Sequence, residues 1–456
     1  MADDTISAIT PAEREQLRLS QTVVTPDAIE ERVNFGLFEE QLERNGGSAW
    51  WLEVQDVAAL AIKSIHRFPS NLQRIGRDRD YIAPGTVAIG PYYHGAPELQ
   101  SMEKIKRRAT DYFFHGSDEL RGATYEKIIP IARMARGCYT DTDALEGISD
   151  DEFVSMMFID GCFLLQFVNT LSPRSGETSL PISMIHPHLF GIMRDMMLLE
   201  NQIPWPVIEF LMELKRISIG DLTHCLSSCL DALVSKEHVI VDFHEGYKPT
   251  HLLCLLRSCK VGRRVWEEPY SNNPKSVSTS AAELAEIGIK LKASKTKQFS
   301  DMNIVKGPFF AKLSLVPLSL DSVTTCWLVN MAAFEICAAT SLADDYYVNS
   351  YLSVVALLMN QEDDVRELRD RRIVQSFSSD QQTLEFFKGL APNLVTGGAY
   401  WRLIADLEKY KHKRRMWISI YRFVYNNTKI IATVLSIIGV LVGIFKTLLS
   451  LKKKQQ

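Results

Sequence analysis

Three carboxylates, Asp160, Asp195 and Glu200, stand in or beside strongly apolar stretches of this 456-residue chain. Carboxylates buried together can divide acid and base roles, because burial raises one pKa while a neighbouring charge moves the other. The same placement suits carboxylates that cap helices or pair with arginine to hold a fold. A second set, His224, Cys225, Cys229, His251, Cys254 and Cys259, offers donors that zinc accepts. Cys225 and Cys229 share a helix face, but the CxxC spacing is missing, and cysteines packed as small hydrophobes account for the set more simply. A third is Tyr92-Tyr93-His94 within VAIGPYYHG, residues 87–95. It reads either as an exposed aromatic patch with a titratable imidazole or as a loop pinned by its tyrosine rings. There is no phosphate-cradling glycine loop, no nucleophile elbow and no HExxH. The expectation is a protein that is not an enzyme, with no catalytic residue, cofactor or metal.

The elements that must position these residues are mainly helical. Thr25-Pro26-Asp27 opens a helix that Asn45-Gly46-Gly47 stops. Together these define an N-terminal helical extension over 1–48. A helical domain follows over 49–425. Residues 98–114 form an amphipathic helix with Leu99, Met102, Ile105, Ala109 and Phe113 on one side. Asp150-Asp151-Glu152 opens an apolar helix central to the core. The run 198–204 reads as a helix end whose polar side chains satisfy backbone groups freed at the proline break. Residues 172–181 form a loop, and 266–280, rich in Ser, Asn and Pro, a linker-like insert. A helix is expected over 281–291. Minor β structure is expected at 86–89 and as a hairpin of 299–305 with 309–316 across Lys306-Gly307-Pro308.

Charge is divided unevenly. The chain carries a net −4, but the last 48 residues hold eleven Lys/Arg and no Asp/Glu. The preceding 408 therefore hold 40 basic and 55 acidic residues. An acidic body does not suit nucleic acid, which needs clustered cations. Eight cysteines in so long a chain do not suggest a disulfide framework.

The C-terminus carries an apolar run over 430–451, interrupted by Lys446. As a helix it is about 33 Å long, against a hydrocarbon core of about 30 Å. Trp417 and Lys429 before it, and Lys446 and Lys452 within and after it, suit membrane flanks. The expectation is one C-terminal transmembrane helix with a short basic tail, 452–456. The N-terminus, MADDTISAITPAEREQ, is no secretory signal. The side of the membrane that the body faces stays open.

Several phrases together resemble a plant family, domain of unknown function 247, also catalogued as uncharacterised protein family 0481. They are Ile65-His66-Arg67-Phe68-Pro69-Ser70-Asn71-Leu72, VAIGPYYHG, LQSMEKIK at 99–106, and Ala135-Arg136-Gly137-Cys138-Tyr139. The blocks at 153–163 and 195–204 follow, with looser fits at 280–292 and NMAAFE (330–335). The residues that carry the match are Gly90, Pro91, Tyr92, His94, Gly95, Met102, Glu103, Asp160, Gly161, Cys162, Glu200, Asn201, Gln202 and Pro204. Tyr93 stands where the family usually has His. The resemblance implies no established catalysis and a single membrane span at the C-terminus. Some grass members are pollen-side determinants of self-incompatibility that recognise small secreted stigma proteins, and this chain resembles that type.

Taken together, the expectation is a membrane-anchored recognition protein at the plasma membrane or an endomembrane. Its partners would be a protein, such as a small secreted one, and the bilayer through 430–451. The alternative is a tail-anchored cytosolic adaptor in signalling or stress response.

Overall fold

The computed structural model describes residues 65–78, 80–171, 179–231, 247–262, 279–307, 310–339, 346–426 and 442–443. The short α1 (Gln73–Asp78) precedes α2 (Gln100–Phe113) and α3 (Asp118–Ala135). The Ser117 hydroxyl accepts the Leu120 amide, and Asp118 and Glu119 fill the first turn of α3, where the helix dipole favours negative charge. Then come α4 (Asp150–Leu171), the one-turn α5 (Ile182–Ile185), α6 (Leu189–Asp195), α7 (Trp205–Lys215), α8 (Ile219–Asp231) and α9 (Leu252–Val261).

The second half opens with α10 (Ala281–Glu286) and mixes strands with helices. β1 (Ile289–Ala293), β2 (Asn303–Lys306) and β3 (Ala311–Leu315) form a sheet of order β1-β3-β2. β3 runs parallel to β1 and antiparallel to β2. β4 (Leu318–Leu320) pairs in parallel with β5 (Val374–Ser376). Between them lie α11 (Ser322–Ala338), α12 (Tyr347–Leu357) and α13 (Glu362–Asp370). The chain continues through α14 (Asp380–Leu390) and α15 (Gly398–Asn426).

α4 is apolar all round because helices cover it on several sides. It packs against α2, α3 and α7, and its stretch from Asp160 to Thr170 is buried without interruption. α11 is the matching centre of the second half, packed on α6, α9 and α12. One hydrophobic cluster joins the two centres. Glu335 near the end of α11 stitches the next helix in place. It accepts the Val348 and Asn349 amides at 3.0 Å each, and the Arg257 guanidinium at 2.8–2.9 Å.

The mainly helical class with minor strands is what the fold contains, but the expected C-terminal membrane helix is corrected. Among the described residues, one helix is long and apolar enough to cross a bilayer. It is Asp150–Leu171, mid-chain, and 83% of its most apolar window is buried inside the domain. That is the signature of a core helix, apolar on every side because protein surrounds it. Of 430–451 only Val442 and Gly443 are described, both helical and exposed. Trp417 lies on α15, its side chain outside the description, and Lys429, Lys446 and Lys452 lie outside the described residues. The readings built on that anchor fall with it: the membrane-anchored recognition protein, the tail-anchored adaptor and the plasma-membrane or endomembrane location.

Smaller differences are local. The expected helix 281–291 ends at Glu286, because Gly288 takes φ +81° and the alternating IKLKA then pairs with β3. The expected hairpin forms from β2 and β3, but Phe299–Asp301 is a single 3-10 turn. The extension 1–48, residues 172–178 of the loop and residues 263–278, most of the insert, lie outside the described residues. The last two residues of that insert, Thr279 and Ser280, are buried, and Ser280 caps α10.

Candidate functional site

The motif residues converge on one extended segment, 86–90. Among the described residues, the expected strand at 86–89 has no ladder partner; side chains occupy its backbone groups instead. The Thr86 and Val87 amides donate to Asp195 Oδ2 at 2.6 and 3.0 Å. The Ile89 amide donates to Asn201 Oδ1 at 2.7 Å, and Asn201 Nδ2 returns a bond to the Val87 carbonyl at 3.0 Å. The Gly90 amide donates to Asp160 Oδ2 at 2.8 Å. The Ala88 carbonyl accepts from Lys106 Nζ at 2.9 Å. A buried backbone must be paired somewhere, and here helix-borne side chains replace a neighbouring strand.

Lys106 is the residue that sequence reasoning missed. It sits in the apolar stripe of α2 with Met102, Ala109 and Phe113, and is 1% exposed. Its ammonium lies 2.5 Å from Asp160 Oδ1 and 2.6 Å from Glu103 Oε1. Burial pushes the Lys106 ammonium down, but Asp160 and Glu103 outweigh it and leave the group raised and charged. Burial raises the Asp160 carboxyl, with Lys106 and the Gly90 amide opposing it. A lysine on the buried face of an amphipathic helix was the available signal, since lysine is almost never fully buried unless paired.

Gly90 is required where it stands. Its φ is +79°, and a Cβ there would meet the Gln202 carbonyl oxygen at 2.5 Å and the Tyr139 hydroxyl at 3.0 Å. Gly90→Ala is therefore expected to cost about 2 kcal/mol or more, from backbone strain plus the clash. Urea unfolding checks it; a loss under about 0.5 kcal/mol, the scale of an ordinary surface substitution, would contradict the geometry. Gly161 on α4 lets α7 approach closely, since a Cβ there would lie 2.6 Å from Leu211 Cδ1, the end of a side chain that can shift. Cys162 is fully buried and its thiol is pushed well up by burial.

The turn before α7 satisfies itself. Gln202 Nε2 donates to the Met196 and Leu198 carbonyls at 2.9 and 2.8 Å, and its Oε1 accepts the Leu253 amide at 3.1 Å. Asn201 Nδ2 also reaches the Asp195 carbonyl at 2.9 Å. Pro204 precedes α7, whose Trp205 amide donates to the Thr250 carbonyl at 2.8 Å.

Toward the surface, Pro91–Tyr93 make a 3-10 turn. The Tyr92 ring lies under the Arg67 guanidinium at 3.8 Å and edge-on to Tyr139 at 5.4 Å. Its hydroxyl donates to the Ile65 carbonyl and accepts the Asp141 amide, both at 3.2 Å. Tyr93 OH donates to Glu200 Oε2 at 2.9 Å, and burial beside that carboxylate pushes the phenol up. Glu200 also holds Arg67 Nη1 at 2.7 Å and the Phe68 amide at 2.8 Å. Arg67 Nε reaches Asp141 at 2.7 Å and holds that carboxyl below its usual range. His94 Nε2 stands 3.4 Å from Glu152 Oε1, and Gly95 follows at φ +79°. The Tyr93 hydroxyl thus closes the Glu200 network.

Among the described residues, the cysteine–histidine set forms no cluster that could hold a metal. His224 is exposed, and the side chains of Cys225 and Cys229 lie outside the description. His251 is fully buried as the cap of α9, with Nδ1 accepting the Cys254 amide at 3.3 Å. Among the described residues no group of three or more His, Cys, Asp or Glu could hold a metal.

The fold and its motif network define a large helical domain whose signature residues lock an internal segment. This chain belongs to the family DUF247, described as a plant protein of unknown function, which matches residues 65–442. It is similar to UPF0481 protein At3g47200 of Arabidopsis thaliana, 27% identical over 338 residues, 68% of this chain and 69% of that protein. It is also similar to the putative UPF0481 protein At3g02645 of the same plant. There the identity is 29% over 190 residues, 40% of this chain and 33% of that protein. No solved structure matches.

Proposed function

We propose that this chain is a non-catalytic protein-recognition domain, a rigid helical scaffold that offers its surface to a protein partner. The observation that supports this is the engagement of all three candidate carboxylates. Asp160 is held by Lys106 and the Gly90 amide. Asp195 is held by two amides and Arg194. Glu200 is held by Arg67, Tyr93 and the Phe68 amide. A general acid or base must be within reach of a substrate proton, whereas these groups spend their lone pairs on the fold.

Asp195→Asn and Glu200→Gln test it. Each is expected to lower stability by about 1–3 kcal/mol, with function in complemented plants falling in proportion to the folded protein remaining. A variant of wild-type stability that abolishes function would show that the carboxylate does chemistry. One class of partner within this reading is a small secreted protein, the kind that some grass pollen self-incompatibility determinants are thought to recognise. A transcript restricted to pollen supports that class, and unchanged rejection of pollen lacking the gene removes it.

A further inference from the structure

The sheet β1-β3-β2 has one face in the core and one in solvent. Ile289, Leu291, Ala311, Leu313 and Leu315 are buried, and the alternate positions Lys290, Lys292 and Lys312 are exposed. Lys290 and Lys312 are direct cross-strand partners. Their backbones are about 4.8 Å apart, and Lys290 lies about 6.6 Å from Lys292 along the strand. Like charges set opposite each other in this way destabilise a sheet. Nearby cations are neutralised: Lys306 pairs with Asp406 at 2.9 Å, and Lys411 lies 4.0 Å from Glu283. Among the described residues, no carboxylate pairs with Lys290, Lys292 or Lys312.

The rim of this face is apolar. Val305, the cross-strand partner of Lys312, is 56% exposed, and Phe310 is 49% exposed. The Lys290 ammonium sits 4.6 Å from the Phe310 ring centroid. Arg414 of α15 and Phe310 both border Gly288, which adds a guanidinium at the same end. Lysines on edge strands commonly block unwanted strand pairing. That accounts for β1 but not for Lys312, which stands on the central strand.

We propose that this face binds an extended acidic segment of a partner protein, with carboxylates at alternate residues and an apolar side chain seated on Val305 and Phe310. This deepens, and rests on, the protein-recognition reading. Alternate side chains of an extended peptide recur every 6.6–6.8 Å or so, the spacing of Lys290 and Lys292. Nucleic acid fits less well, because proteins that hold it commonly make roughly 6–10 phosphate contacts. Lys290, Lys292, Lys312 and Arg414 supply four at most.

The test is fluorescence anisotropy of the full chain with the labelled peptide SESESFSS. Binding is expected, with none to SKSKSFSS. Lys290→Glu with Lys312→Glu should weaken it by about tenfold or more, and the double Arg variant should keep it. If the double Glu variant does not fold, the double Gln variant gives the same reading. Equal binding of the two peptides, or no effect of the charge reversal, overturns the proposal. So does preferential binding, through the same lysines, of a single-stranded oligonucleotide or of phosphatidylserine vesicles. Carbodiimide cross-linking of the full chain adds a further arm, with the Lys306–Asp406 pair as its internal control. Links from Lys290 or Lys312 to carboxylates in 1–64 would make the chain's own extension the occupant and overturn the proposal. Failure of the face leaves the scaffold reading standing, since that is judged on the Asp195 and Glu200 variants.

Discussion

Lys106→Met is expected to lower the unfolding free energy by about 3–5 kcal/mol, the cost of breaking a buried ion pair from one side. The substitution leaves Asp160, 1% exposed, with the Gly90 amide as its remaining partner, and strands the Ala88 carbonyl. Methionine fits the volume, so packing contributes little to the loss. Adding Asp160→Leu removes the stranded charge. The double variant should therefore be more stable than the sum of the single losses predicts, by about 1–3 kcal/mol. Urea unfolding of the four proteins closes the cycle. Additivity to within about 0.5 kcal/mol would mean that the two charges do not depend on each other.

The second large effect is acid sensitivity through His251. Burial, with His66 nearby, lowers its pKa from 6.5 to about 3. The folded protein therefore holds this imidazole neutral while the unfolded chain protonates it below pH 6.5. The unfolded state binds the extra proton, so stability falls as pH falls from about 6.5 toward 3, and the residue contributes no slope above that window. One proton corresponds to roughly 1.4 kcal/mol per pH unit inside it. His251→Asn keeps a side-chain acceptor for the Cys254 amide and removes the titration. Unfolding free energies at pH 7, 6 and 5 should fall less steeply in the variant, by close to one proton. Parallel curves would show that His251 is not held neutral.

Much of this architecture was legible from local pattern. The three acidic residues before an apolar run announced α4, and Lys306-Gly307-Pro308 marked the turn between β2 and β3. β1 was not legible, because its partner β3 lies about twenty residues on, and the helix-forming AAELAE before it suggested continuation. The C-terminal apolar run was read by hydropathy and length, a test that the buried Asp150–Leu171 passes equally well. Composition cannot tell protein from lipid as the surrounding medium. For the site, the individual blocks around Gly90, Asp160 and Asn201 were visible, but their meeting was not. The bonds that join them span 70 to 112 positions, beyond any periodicity. Lys106 was passed over because a lysine in an amphipathic helix is ordinarily assigned to the solvent side.

The side-chain-paired segment 86–90 also bears on how the chain reaches this fold. A hairpin or helix can form early from neighbours, but each amide here waits on a side chain about 70 or more residues further along the chain. Closing such long loops is slow, and the nearer bond from Lys106 Nζ to the Ala88 carbonyl engages none of these amides. The segment therefore locks only after α4 and the turn at 198–204 have docked. During synthesis it stays open until that turn has emerged from the ribosome. The family's most recognisable phrase thus marks a late step in assembling the first half of the domain, the point at which α2, α4 and the turn at 198–204 have come together around it.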